Sequence, residues 1–322
     1  MKLKKSDVKT ISKVNAIRTR FQADKEKIIL SRAFRRLKHK THMIWRPKND
    51  YVRTRLTHVL EVSLYARLIA SNITPELDLD LVECIALAHD LGHTPFGPAG
   101  DRALNKCLKK YKESFSHAIQ GRIIGESENL KLSEEILDGI EHHEFASENI
   151  PKTREGQVVR YADVISSINS NYEDIVGLLI EREISMTKLR KALNDINEFP
   201  KERIDVVIKD IINNSQDKEQ ICMSTEIKEK LIKVIKAYKK LFMSESFSYK
   251  DEEAEHVITR LFVCFMKDPK KRMSFFGSKI YEKAERIGVL KVAVDHISSM
   301  TDDYAWEKYC KIFAPIILDY HW

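Results

Sequence analysis

Apolar residues recur every three or four positions along most of the chain. LEVSLYARLIA (60–70), SEEILDGIEHHE (133–144), IDVVIKDIINN (204–214), EIKEKLIKVIKAYKKLF (226–242) and EEAEHVITRLFVCFM (252–266) each carry an apolar stripe at helical spacing. ITPELDLDLVECIALAHD (73–90) predicts another helix, opening with Thr74 as N-cap and Pro75 at the first helical position. Alternation at strand period is scarce, and RTRLTHVLEV is the only β-branched stretch of note. Gly (10) and Pro (8) are rare among 322 residues, and no internal repeat is visible. The expected fold class is all-α. Charged, irregular stretches at Phe145–Gly156 and Asn194–Lys201 mark joints between subregions.

One stretch breaks the pattern. AHDLGHTPFGPAGD (88–101) gathers three glycines and two prolines beside two histidines and two aspartates. A solvent loop has no need of the histidines, and a helix interior does not tolerate the breakers. The segment reads as a helix end followed by a shaped turn that holds polar groups in place.

Composition narrows the class. Hydrophobic residues at 43% and charged residues at 32% suit a globular protein rather than a disordered one. No apolar run approaches the roughly 20 residues needed to span a bilayer, so no membrane association is expected. MKLKKSDVKT is basic but lacks a signal peptide's apolar stretch. The five cysteines form no CxxC pair and are odd in number, which fits a reducing cytoplasm without a disulfide framework or zinc–thiolate site. The net charge is +7, with lysines grouped at 2–5, 106–112 and 229–240. Such groups are either solvated helix faces or attractors of a polyanion such as nucleotide phosphates. Nucleic-acid recognition is not indicated, because neither interleaved aromatics nor zinc-finger spacing is present.

Residues able to ligate a cation gather in the first half. His58 lies in RTRLTHVLEV, His89 and Asp90 close the helix before the turn, and Asp163 lies in the helical pattern EGQVVRYADVISSIN. One His, a His–Asp pair and an Asp from three helices can converge on a divalent metal. Imidazole and carboxylate suit Mn, Fe, Zn, Co or Mg. Each residue also has a plain structural reading: a core or surface histidine, or an aspartate that ends its helix. Two adjacent polar residues at the end of an apolar helix favour the metal, since unpaired they would cost desolvation free energy.

H…HD…D on helices resembles the signature of the HD-domain metal phosphohydrolases. SRAFRRLKHKTH (31–42), YVRTRLTHVLEV (51–62), ECIALAHDLGHTPFG (83–97) and EGQVVRYAD (155–163) resemble the deoxynucleoside triphosphate triphosphohydrolase family, dGTPase type. VAVDHISSMTDDYA (292–305) resembles that family's closing helix. The resemblance implies an N-terminal basic arm (1–25), an HD-domain core (26–193) and a C-terminal helical region (194–322) packed on the core. It implies hydrolysis of a dNTP at the α-phosphorus, with release of deoxynucleoside and tripolyphosphate. Carried over, His58, His89, Asp90 and Asp163 ligate the metal and Arg55 contacts substrate phosphate. His93 and His117 stand beside the phosphates, where one serves as general acid. His143 matches a frequent His of the bacterial members and is taken as structural.

The chain departs from the family at five positions. PFGPAGD stands where the family reads PFGHxGE, so Pro98 replaces a catalytic His and Asp101 replaces a Glu. Proline has no proton to give, leaving the acid role to His93 or His117 with Asp101 as orienter. Ser167 and Asn171 occupy the family's sugar-contacting Tyr and Asp positions, and His42 occupies that of a sugar-contacting Gln. The leading expectation is a cytoplasmic, metal-dependent nucleotide phosphohydrolase. One alternative is a shifted preference towards a ribonucleotide, a monophosphate or another phosphoester. The other is a nucleotide-binding sensor that has lost turnover. The resemblance further implies a homo-oligomer and allows a nucleotide effector.

Overall fold

Thr54 ends an extended segment and starts the first long helix, its backbone N donating to Thr57 Oγ1 at 3.1 Å. In the computed structural model this helix, α3, spans Arg55–Ala70 and follows α1 (Arg20–Leu30) and α2 (Arg32–Arg36). Residues 18–45, 50–179 and 186–313 are described; the lysines at 2–5 and most of the basic arm lie outside them. The remaining helices are α4 (Leu79–Ala88), α5 (Pro98–Leu108), α6 (His117–Glu126), α7 (Glu134–Glu141), α8 (Arg154–Leu179), α9 (Thr187–Asn194), α10 (Pro200–Ser215) and α11 (Thr225–Phe242). They are followed by α12 (Glu245–Lys267), α13 (Pro269–Phe276), α14 (Ser278–Ile287), α15 (Val289–Ser298) and α16 (Asp302–Phe313). No strand occurs among the described residues, only an isolated bridge between Thr41 and Thr54. The all-α expectation holds.

The start of α4 differs from the sequence expectation. Thr74 and Pro75 precede the helix in a loop, and the N-cap is Asp78, whose carboxylate accepts from the backbone N of Asp80 (2.9 Å) and Leu81 (3.1 Å). A carboxylate that takes two orphan amides, at the positive end of the helix dipole, outcompetes a threonine four residues earlier.

Two apolar cores result. In the first, α3 lies between α4 and α8 and buries Val59, Val62, Ala66 and Ile69. Residues of α1, α7 and α9–α11 complete it. The second unites Phe96 and the buried face of α5 with α12 and α15, through Ala103, Leu104, Leu261, Phe262 and Ile297. The turn between α4 and α5 thus sits where the cores meet. Gly97 has φ 60° and precedes Pro98, which occupies the first position of α5. Gly92 is required for another reason: a Cβ there would lie 2.0 Å from His117 O, so only glycine lets the turn press against the start of α6.

Candidate metal centre

α3 and α8 pack side by side and bring His58 and Asp163 together, with His58 Nε2 3.1 Å from Asp163 Oδ1. The end of α4 delivers the third and fourth groups. His89 is its C-cap, Asp90 follows, and the helix's carbonyl end places partial negative charge where a cation would be welcome. His58 Nε2 lies 3.9 Å from Asp90 Oδ2, and His89 Nε2 lies 3.4 Å from Asp90 Oδ1. Potential ligand atoms of His58, His89 and Asp90 all fall within 4.8 Å of one another. His58, His89 and Asp90 thus converge, and Asp163 adjoins them through His58.

His89 tests whether the pocket suits a metal. Its Nδ1 lies 2.8 Å from Ala86 O, a carbonyl that can only accept, so Nδ1 carries the hydrogen and Nε2 the lone pair. That Nε2 is buried and has no hydrogen-bond partner. A buried, inward-facing imidazole lone pair whose other nitrogen is held by a carbonyl is the arrangement of a metal-ligating histidine. The donor set of imidazoles and carboxylates fits a divalent cation.

Electrostatics prepare the carboxylates. Burial alone would raise the Asp90 pKa, but Arg55, His89 and His93 hold it well below the usual carboxylate range. Asp163 is depressed likewise, burial being outweighed by the His58 hydrogen bond and by His58 and His89. Both are thus ionised. Asp163 in turn raises the pKa of His58 against the opposing effect of burial. Arg55 is buried, donates to Asp90 Oδ2 at 2.7 Å and to His42 O at 3.2 Å, and leaves its Nε without a partner.

On the α6 side, Asp101 organises the imidazoles. Its Oδ2 accepts from His117 Nδ1 at 3.0 Å and lies 2.9 Å from His93 Nδ1, while its Oδ1 accepts from Thr94 N and Oγ1 at 3.1 and 2.6 Å. The two rings stack with centroids 3.6 Å apart. Despite their contact they titrate in opposite directions. Burial and Arg55 push His93 down, whereas the Asp101 hydrogen bond outweighs burial and pushes His117 up. Of the two rings, His117 is the one whose protonated form its surroundings favour.

The changed positions also reach the site. His42 is buried and stacks on His58 with centroids 4.0 Å apart; its Nδ1 has no partner. Burial, together with His58 and Arg55, keeps it neutral by pushing its pKa well down. Asp163, Ser167 and Asn171 lie one turn apart along α8 and line a cavity of about 750 Å³. Pro98, Phe145, Val234 and Tyr238 form part of its wall, and Arg102 and Lys106 reach it from α5. Asn171 Oδ1 is buried without a partner.

Three groups at the site were given no such role by sequence reasoning. His143, taken as structural, has its ligand atom within 4.8 Å of those of His89 and Asp163. Burial, His89 and His117 push its pKa down to about 3, so the ring is neutral. Its signal was the HH pair ending an amphipathic helix, which spacing alone does not separate from a surface pair. Lys40 and Asp302 fasten the turn from outside. Lys40 Nζ donates to His93 O and, at 2.6 Å, to Ser298 O. Asp302 accepts from Thr41 N (3.0 Å), Thr41 Oγ1 (2.5 Å) and Phe96 N (2.9 Å). The sequence gives no hint of those contacts beyond the positions themselves.

Comparison with known proteins agrees with this geometry. The HD domain family matches residues 55–168, and the phosphohydrolase-associated domain family matches residues 221–311. A deoxyguanosinetriphosphate triphosphohydrolase-like protein of Caldanaerobacter subterraneus subsp. tengcongensis is 40% identical over 306 residues, covering 93% of this chain and 86% of the relative. Proteins of the same description from Clostridium tetani and Clostridium perfringens (strain 13 / Type A) are 33% and 32% identical, each covering 94% of this chain and 88% and 90% of the relative. The HD pair, its partners on α3 and α8, and similarity across nearly the whole length lead to one assignment: the chain belongs to the HD-domain family of metal-dependent phosphohydrolases, among its deoxyguanosinetriphosphate triphosphohydrolase-like members.

Proposed function

We propose that the chain hydrolyses a deoxynucleoside triphosphate to deoxynucleoside and tripolyphosphate. The carrying observation is that Asp163 belongs both to the convergent His/Asp centre and to the wall of the 750 Å³ cavity. A phosphate at the centre and a nucleoside in the cavity can then be parts of one substrate, and the volume suits such a group. The relatives' description agrees with this reading.

His58, His89, Asp90 and Asp163 are the residues we assign to the cation, which supplies Lewis acidity that polarises a phosphoryl oxygen and acidifies water. Arg55 orients Asp90 through their buried pair and retains its Nε for a phosphate oxygen. Water oxygen bonds to the α-phosphorus and gives up its proton to solvent. The bond to the 5′ oxygen breaks, its electron pair leaves with that oxygen, and a proton from His117 neutralises it. Asp101 holds His117 in the protonated, oriented form. His93 stacks on His117 and fixes its plane. With Pro98 at the start of α5, no imidazole is available from that position.

A second reading, acceptance of ribonucleotides, is favoured by Ser167 and by the unpartnered Asn171 Oδ1 on the cavity wall. A small hydroxyl and a free acceptor leave room and a partner for an extra sugar hydroxyl. Anion-exchange analysis of products from paired ribo- and deoxynucleoside triphosphates tests both. The primary reading expects stoichiometric tripolyphosphate from dNTPs. Orthophosphate or pyrophosphate as the first product would overturn it, and equal kcat/KM for the two sugars would favour the second.

A further inference from the structure

We infer that Glu144 is a positioning residue for His117, steadying its Nε2 edge and returning a proton to it from solvent after each turnover. The inference rests on the proton donation assigned to His117 above. His117 is hemmed in on most sides. Asp101 Oδ2 takes its Nδ1 at 3.0 Å, His93 stacks on it with centroids 3.6 Å apart, and His143 Nε2 lies 3.4 Å from its Nε2. The remaining neighbour is Glu144, whose Oε1 lies 3.4 Å from that same Nε2.

The two carboxylates on His117 differ in kind. The Asp101 side chain is 17% exposed and already accepts from Thr94 N and Oγ1 while adjoining His93 Nδ1. The Glu144 side chain is 48% exposed and, among the described residues, pairs with no charged group other than His117. His93 and His143 are buried. Of these neighbours, only Glu144 touches both the ring and open water.

Such a link is what a largely enclosed acid needs. Each turnover moves the His117 proton to the departing 5′ oxygen and leaves a lone pair on Nε2, while Asp101 keeps the Nδ1 hydrogen. A proton from solvent then adds to the Glu144 carboxylate and passes to Nε2, which restores the imidazolium and leaves Glu144 ionised. The proton entering here balances the one that the attacking water gives to solvent. Pro98, at the start of α5, has none to contribute.

The carboxylate stands on a fastened turn. Preceding it, His143 Nδ1 lies 2.7 Å from Ile140 O, and Glu144 O accepts from Ser147 N at 3.1 Å. Following it, Arg160 of α8 donates to Phe145 O at 2.9 Å, to Ser147 O, and to Asn149 O at 3.4 Å. Phe145 and Ala146 belong to the cavity wall, so the turn that carries Glu144 borders the substrate.

Rapid-quench and steady-state kinetics of the full chain with Mn²⁺ and a deoxynucleoside triphosphate test this. Glu144→Gln should leave the first turnover unchanged and lower steady-state kcat by roughly 10²-fold, the lower end of what a positioned proton-transfer group contributes. Because reloading follows the chemical step, KM should fall with kcat and kcat/KM should stay constant. Imidazole buffer should restore the variant's kcat with saturation and leave the native enzyme unaffected. A first turnover slowed as much as the steady state, a reduced kcat/KM, an unchanged kcat, or no recovery with buffer would overturn the inference. A native protein that releases no tripolyphosphate would remove the proposed reaction and this inference with it, whereas an active native enzyme indifferent to Glu144→Gln removes only Glu144.

Discussion

Asp90 divides two oxygens among four neighbours. Oδ2 meets Arg55 at 2.7 Å and His58 at 3.9 Å, while Oδ1 meets His89 at 3.4 Å and His93 at 3.3 Å. Asp90→Asn keeps the shape and removes the charge, so Mn²⁺ binding and turnover should both vanish. It also strands a buried guanidinium, for which about 3–5 kcal/mol of stability should be lost, read from urea unfolding of the metal-free protein. His117→Gln should lower kcat by roughly 10²–10⁴ with little change in KM, as expected of a proton donor. Because Asp101 raises the His117 pKa, the proton is present below that pKa and lost above it. The rate should therefore fall as pH rises through it. Asp101→Asn should move this alkaline limb to lower pH, seen in a kcat–pH profile; an unmoved limb would remove His117 from the acid role.

Among the helices, the site depends on approaches that sequence separation conceals. HD at the end of an apolar helix was legible because adjacent polar groups there need a partner. His58 and Asp163 were legible as a helical His and Asp able to join that pair, and α3 and α8 do bring the two together. What joins the turn to α6 was not, because Gly92 meets His117 across many intervening residues. Gly92→Ala should force the start of α6 away, costing at least the roughly 1–3 kcal/mol of an overpacked contact. Thermal unfolding should show that loss together with a reduced kcat, whereas an unchanged kcat would mean that the His93–His117 stack tolerates the shift. The start of α4 was misread for a related reason. Thr74–Pro75 has the residue types of a helix opening, and only the structure shows that Asp78 takes the first amides instead. The Ile140 carbonyl that holds His143 Nδ1 was not legible either, because spacing does not reveal it.

In the molecule as a whole, the C-terminal helices hold the turn between α4 and α5 in shape. Phe96 has φ 67°, an uncommon conformation for a bulky residue, yet its ring is buried in the second core, edge-on to Trp45 at 4.7 Å. Asp302, at the start of α16, takes the Phe96 amide and both Thr41 donors, and Lys40 ties the His93 carbonyl to the end of α15. The phosphohydrolase-associated segment thereby helps to support the turn. Asp302→Ala should strand buried donors at about 1–3 kcal/mol each and lower kcat more than Mn²⁺ affinity. Equal losses in both would mean that the clamp supports the whole centre rather than the turn.

All of this depends on a cation at the meeting point of α3, α4 and α8. Anomalous diffraction from crystals grown with Mn²⁺ and a nonhydrolysable deoxynucleoside triphosphate tests that most directly. The expected result is one strong peak at coordinating distance, about 2.0–2.3 Å, from His58, His89, Asp90 and Asp163, with the α-phosphate beside it. A map with no peak there, or a peak bound only through the substrate's phosphates, would contradict the account.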